Sequence, residues 1–366
     1  MNRLRELQEA GVSIWLDTLS RDLIETGKLE RYVRYYGVTG ATSNPTIFER
    51  ALAGSHGYDG QLHALSAQGR ADDPREAFFA LALDDVRRAA NLLRSVHRPT
   101  RGRDGFVSFE VTPDVADDSE ATVAQALEIW ERLSRPNVMV KVPATAAGVP
   151  AIEALTAHGV NVNVTLLFSV DRYEQVMEAY LRGLERRVEQ GLAPGDVASV
   201  ASFFVSRVDG KADALLPPGS PLRGRIAIAN AHVAYARYAE RFGGARWQRL
   251  ARLGARPQRP LWASTGTKSR EYSDVLYVEG LVAPGTVNTM PEHTLRAFAE
   301  HGRVGQRIPT DSARAEQVLA EAAEAGIDLP RITAELEREG VEAFDRSYAD
   351  LLDRLERKLP RLAAAA

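Results

Sequence analysis

Eight short apolar runs alternate along this chain with longer segments of helical spacing, and that alternation constrains the fold more than any other feature. The runs are Ser13 to Asp17, Gly37 to Asn44, Phe106 to Glu110, Asn137 to Val142, Val160 to Leu166, Val197 to Val205, Pro260 to Ser264 and Thr286 to Asn288. Each has the length and bounding residues of a strand, the last being short and preceded by glycine. Helix-period segments separate most of them: Arg21 to Tyr36, Pro74 to Ser95, Ser119 to Leu133, Gly148 to Ala157, Asp171 to Gln190 and Arg223 to Phe242. Pro45 or Thr46 opens a further helical turn. Repeated βα units require a parallel sheet, and eight of them predict an α/β fold, a (β/α)8 TIM barrel with additional helices.

A doubly wound open sheet is the competing architecture, and it gathers polar residues mainly at its crossover point. Here polar side chains close seven of the eight runs, at Asp17, Asn44, Glu110, Lys141, Thr165, Ser202 and Ser264. A closed barrel brings all strand ends to one face, so the distribution favours closure. From Thr310 onward only helical spacing remains, at Leu329 to Leu336 and Val341 to Leu359. The expected organisation is one barrel domain over residues 1–366, with 310–366 as a helical extension packed on it.

Composition removes several function classes. The chain has no cysteine, which excludes disulfides and thiolate catalysis. Its seven histidines are scattered without close ligand spacing, so no metal site is expected. A formal net charge of -3 gives no support to a nucleic-acid binder. The stretches Arg246, Arg249, Arg252, Arg256, Arg259 and Arg94, Arg98, Arg101, Arg103 read as solvated arginine faces. No run approaches the roughly 20 apolar residues of a membrane span, and the amino terminus lacks the apolar core of a signal peptide. Cytoplasm is the expected location, with no organic cofactor and either a monomer or a homodimer.

Only five of the 46 basic residues are lysines, and one of them, Lys141, interrupts the apolar strand Asn137-Val-Met-Val-Lys-Val-Pro143. Burial disfavours the charged form of an amine and frees it as a nucleophile. Arginine does not deprotonate in a protein and cannot do this. Strand alternation sets Lys141 and Met139 opposite Val138, Val140 and Val142, which in a barrel points the lysine into the lumen. Glu110 and Asp17 close neighbouring strands. A lysine with two carboxylates meets the needs of imine chemistry, an amine to attack a carbonyl and acid and base groups to move protons. The bland alternative is a structural ion pair.

Asn163 and Thr165 share one strand face, where they either contact sugar hydroxyls or satisfy each other's neighbours in a polar barrel layer. Ser202, Arg207 and Lys268 could gather phosphate oxygens, whereas ordinary solvation is the alternative for the last two. Thr265-Gly-Thr-Lys268 lacks the upstream glycines of a nucleotide-phosphate loop.

Six motifs then give the chain a family likeness: Trp15-Leu-Asp17, Gly40-Ala-Thr-Ser-Asn-Pro-Thr46, Val107-Ser-Phe-Glu110, Val138-Met-Val-Lys-Val-Pro143, Asn163-Val-Thr-Leu-Leu-Phe-Ser169 and Ser202-Phe-Phe-Val-Ser-Arg207. Over nearly its whole length the sequence resembles the transaldolases, in a longer bacterial-type form. The resemblance implies a (β/α)8 barrel, a class I Schiff-base mechanism without cofactor or metal, and sugar phosphates as substrates. It implies Lys141 as the Schiff-base lysine, Glu110 as an acid/base working through a water, and Thr165 as the residue holding that water. It further implies Asp17 as the carboxylate handling the substrate hydroxyl proton during carbon–carbon cleavage. Asn44 and Asn163 would hydrogen-bond the dihydroxyacetone unit, Ser202 would contact the substrate, and Arg207 would bind the phosphate.

Phe204 stands where the similar fructose 6-phosphate aldolases carry a tyrosine, which implies transfer rather than simple cleavage. Two departures concern the phosphate end. The family segment SPFVGR has Phe203 and Ser206 here in place of Pro and Gly, and a second phosphate-binding arginine has its nearest match in Lys268. An aldolase releasing dihydroxyacetone, or a non-catalytic sugar-phosphate binder, are the competing functions.

Overall fold

A computed structural model describes residues 3–43, 48, 57–69 and 73–363, with side chains through residue 359. Its centre is a closed, all-parallel barrel of eight strands in sequence order. They are β1 (Ser13–Leu16), β2 (Gly40–Thr42), β3 (Phe106–Glu110), β4 (Val138–Pro143), β5 (Val162–Leu167), β6 (Ser199–Phe204), β7 (Arg259–Ala263) and β8 (Val287–Met290). β1 pairs with both β2 and β8, which closes the ring. All eight expected strands are present, with ends shifted by a few residues.

The alternation read from β4 holds. Val138, Val140 and Val142 belong to the large apolar core between barrel and helices, whereas Met139 joins Trp15, Phe106, Val200, Leu261 and Val287 in a separate cluster. That second cluster fills the lower lumen, and it needs a glycine opposite it. A Cβ on Gly40 would lie 2.5 Å from the Trp15 indole. Above this apolar floor the lumen turns polar, with Ser108, Lys141, Asn163 and Ser202 all buried.

Two helical regions differ from expectation. The segment Arg21 to Tyr36 is two helices, Arg21–Glu25 and Lys28–Tyr36, because Gly27 takes φ 69° and breaks the ladder. Conversely, the tail's two expected helices are one, Leu329–Ala363. Gly340, which looks like a break in sequence, lies inside it and permits close packing: a Cβ there would come 2.9 Å from Leu166 Cδ2. The tail is also tied by Lys211 to Glu335 and Glu339 and by Arg172 to Glu337. The turn expected at Pro45 or Thr46 lies outside the described residues. Among the described residues no helix is long and apolar enough to cross a membrane.

The first arginine stretch is not a simple solvated face. Arg246 bonds both Glu178 and Glu185, Arg256 donates to the carbonyls of Gly102 and Arg101, and Arg259 is buried at the foot of the barrel. Its period follows a helix only to Arg252, where the helix Ala245–Arg252 ends; beyond it the chain turns inward.

Candidate active site

Parallel register places the reactive groups side by side at the carboxyl ends of the strands. Glu110 of β3 is level with Lys141 of β4, and Lys141 with Asn163 of β5. Lys141 Nζ donates to Glu110 Oε2 at 2.9 Å and to the Ser43 carbonyl at 3.2 Å. Both partners are over 90% buried, so the pair is shielded from solvent. In this state the amine is ion-paired and must give up a proton before it can attack a carbonyl.

A cavity of about 240 Å3 opens beside the lysine. Seven of the residues expected at the site line it, Asp17, Lys141, Thr165, Ser202, Phe204, Arg207 and Lys268, together with the strand-end Ser264. Glu110 stands behind Lys141, against Phe78, Phe109 and Tyr348. Asn163 is fully buried in the polar layer, donating to Ser108 Oγ at 2.9 Å and accepting from Ser202 Oγ at 2.7 Å. Both bonds lie within the strand layer, and Ser202 joins that layer to the cavity. Asn44 lies outside the described residues.

Asp17 accepts a hydrogen bond from Thr42 Oγ1 at 2.9 Å, and Thr42 in turn meets Thr289 Oγ1. Burial pushes its carboxyl above the usual aspartate range, against the opposing pull of Lys141, the Thr42 hydrogen bond and Arg207. Because that hydrogen bond favours the carboxylate, Thr42→Val should raise the Asp17 pKa further. If ionised Asp17 is the working form, the acid limb of the kcat profile moves to higher pH in the variant. An unmoved limb would separate Asp17 from the rate.

The rim is cationic. Arg207 lies with its guanidinium 5.4 Å from the centre of the Phe204 ring, and that ring packs on Phe168 at 5.2 Å. Burial lowers the Arg207 pKa, and it lowers that of Lys268 with help from Arg207's charge. The two cations therefore sit close enough to repel, an arrangement that a bound anion would relieve.

The departures from the family segment have local causes. Phe203 points outward, edge-on to Trp262 at 6.2 Å, and fills core. Ser206 ties β6 to β7, donating its N–H to the Ser264 carbonyl and meeting Ser264 Oγ at 2.9 Å. Ser264 and Leu166 both adopt positive φ, 57° and 58°, at the cavity end of the barrel. Such strain in non-glycine residues gathers at functional sites. In β5 it accompanies a bulge between Val164 and Leu167, the kind of irregularity that re-aims a side chain beside a site.

Several lining residues were missed. Thr42 sits inside a quoted motif, yet nothing in its sequence context distinguished it from its neighbours. Thr289 lies within β8 and Pro291 directly follows it, and His293 is a lone histidine at the start of the helix Glu292–His301. Only three-dimensional closure of the barrel brings these to Asp17.

Comparison with known proteins shows the family. A model of the family described as "Transaldolase/Fructose-6-phosphate aldolase" matches residues 14–355. A transaldolase of Saccharopolyspora erythraea is 50% identical over 362 residues, covering 98% of each chain. A transaldolase of Mycolicibacterium smegmatis is 49% identical over 362 residues, 97% of each chain. One from Acidothermus cellulolyticus is 50% identical over 363 residues, 98% of this chain and 97% of its own. The chain belongs to the transaldolase/fructose-6-phosphate aldolase family. Within it, the match places the chain among the bacterial-type transaldolases, enzymes of transaldolase-type Schiff-base chemistry in sugar-phosphate metabolism.

Proposed function

We propose that this chain, acting in the cytoplasm as one barrel unit, transfers a dihydroxyacetone group from sedoheptulose 7-phosphate to glyceraldehyde 3-phosphate. The products are erythrose 4-phosphate and fructose 6-phosphate, a step of the non-oxidative pentose phosphate pathway. One observation carries the reading. The Lys141 amine lies between the Glu110 carboxylate and a cavity that also contains Asp17 and a cationic rim of Arg207 and Lys268.

In this mechanism Lys141 Nζ attacks the C2 ketone of the donor. Glu110, through a water held by Thr165, protonates the carbinolamine hydroxyl, which leaves as water and gives a protonated imine. Asp17 takes the proton of the C4 hydroxyl. The C3–C4 bond breaks, its electron pair passes to the imine as an enamine, and erythrose 4-phosphate departs. The enamine carbon then attacks the acceptor aldehyde, whose oxygen takes the proton back from Asp17. Hydrolysis of the new imine frees fructose 6-phosphate and the amine. Arg207 and Lys268 hold the phosphate, Lys268 as a point charge without a bidentate fork. Asn44, Asn163 and Ser202 orient the three-carbon unit.

Phe204 offers no hydroxyl to protonate the enamine, which supports transfer over release. The test is to incubate the enzyme with fructose 6-phosphate, with and without erythrose 4-phosphate. Sedoheptulose 7-phosphate should form only with the acceptor, and dihydroxyacetone should stay near one equivalent of enzyme or below. Catalytic release of dihydroxyacetone without acceptor would instead assign a fructose 6-phosphate aldolase.

A further inference from the structure

At the opposite end of the barrel, where the strands begin, lies a second cavity of about 360 Å3. A barrel of this kind is normally packed solid along its lumen. Here Trp15, Phe106, Met139 and Val200 close the lumen, each at most 2% exposed, and the cavity lies below them, walled also by Ala198, Ala255 and Pro257. The volume is that of a small-ligand pocket.

Its mouth carries three guanidinium groups, on Arg103, Arg256 and Arg259, against one nearby carboxylate among the described residues. That carboxylate, Asp104, already accepts from Trp15 Nε1 at 2.7 Å and stands 3.9 Å from Arg259. Arg256 spends its N–H groups on the carbonyls of Gly102 and Arg101, and Arg259 on those of Gly285, Arg103 and Thr286. Carbonyl contacts fix a guanidinium in place without neutralising its charge. The Arg103 side chain is exposed and has no hydrogen-bond or ion-pair partner among the described residues. The Tyr238 hydroxyl also reaches this cavity and has no hydrogen-bond partner among the described residues. Burial pushes its pKa up to about 12, so it remains a neutral donor. The result is an apolar chamber closed by uncompensated positive charge and a spare donor.

We infer that this basal cavity is a second binding site, taking a small carboxylate with an aromatic or branched apolar body. The body would lie against Ala198, Ala255, Pro257 and the Tyr238 ring, beneath Trp15 and Phe106, and the head group between the Arg103 guanidinium and the Tyr238 hydroxyl. Guanidinium–carboxylate pairing is geometrically specific, which distinguishes this site from a merely greasy gap. It is independent of the transfer reaction, because no residue of the basal cavity also lines the upper one.

The test uses the full-length enzyme titrated with 3-phenylpropionate and with its neutral amide, followed by tryptophan fluorescence and calorimetry. The acid should bind saturably at one site, and the amide about tenfold more weakly. Arg103→Glu should weaken the acid by about tenfold or more while leaving transfer activity intact, since its side chain holds nothing in the fold. Tyr238→Phe should weaken it about two- to fivefold while keeping the ring in place. Inorganic phosphate, drawn to the upper site, should not displace it. No saturation at about 10 mM would overturn the inference. So would equal affinity for acid and amide, indifference to Arg103→Glu, or displacement by phosphate together with loss of binding in Arg207→Ala.

Discussion

Lys141→Arg should yield a folded protein that has lost transfer by about 10^4-fold or more, because a guanidinium cannot form the imine. After incubation with fructose 6-phosphate and borohydride, the wild type should gain about 74 Da, the mass of a reduced dihydroxyacetone imine, and the variant nothing. Arginine is the informative substitution here, more so than alanine. Lys141→Ala deletes one half of a buried ion pair and leaves Glu110 without its 2.9 Å partner. Breaking such a pair costs about 3–5 kcal/mol, so alanine confounds lost chemistry with a weakened fold. Arginine keeps a positive charge beside Glu110 and removes only the nucleophile. Matching thermal melts for wild type and Lys141→Arg would show that the loss is chemical. Retained turnover, or a mass adduct that persists in the variant, would remove Lys141 from the Schiff-base role.

The barrel was legible because both of its periods were written plainly. Strands that face helices on one side and a lumen on the other show Val138, Val140 and Val142 against Met139 and Lys141, and the structure segregates the valines and Met139 into two apolar clusters. Glycine was the poor guide. Gly27 breaks a helix that the periodicity carried through, whereas Gly340 serves a close approach to Leu166 inside an unbroken one. Both look alike in sequence, and only packing separates them.

At the candidate site, charges stranded in apolar runs were visible: Lys141, Glu110 and Asp17 stand out because burial makes each expensive. Thr42, Thr289 and His293 were not, since a threonine in a strand or a histidine at a helix start carries no such contrast. The arginines misled for a related reason. In a chain with 41 of them, Arg249 on a helix and Arg259 under the barrel share one spacing, and burial alone tells them apart.

Asp17→Asn tests the second carboxylate, and the same change should affect rate and stability in opposite directions. As the base for the C4 hydroxyl, Asp17 is needed for cleavage, and its loss should lower kcat by about 10^2- to 10^4-fold. Its folded carboxyl titrates above the usual aspartate range, with burial outweighing Lys141, Thr42 and Arg207. Below the unfolded value both states are protonated and ionisation costs nothing. As pH rises from there through the folded value, the unfolded chain gives up its proton first and stability falls; above that window the deficit is constant. Asparagine has no proton to lose, and its Oδ1 can still accept from Thr42. The variant should therefore melt about 1–3 °C higher than wild type at neutral pH, with the gap closing toward pH 4. A variant less stable than wild type at neutral pH, or a gap that does not change with pH, would mean that Lys141 and Arg207 stabilise the carboxylate more than burial penalises it. Asp17 would then be a structural counterion held for charge balance, and the proton of the C4 hydroxyl would need another acceptor.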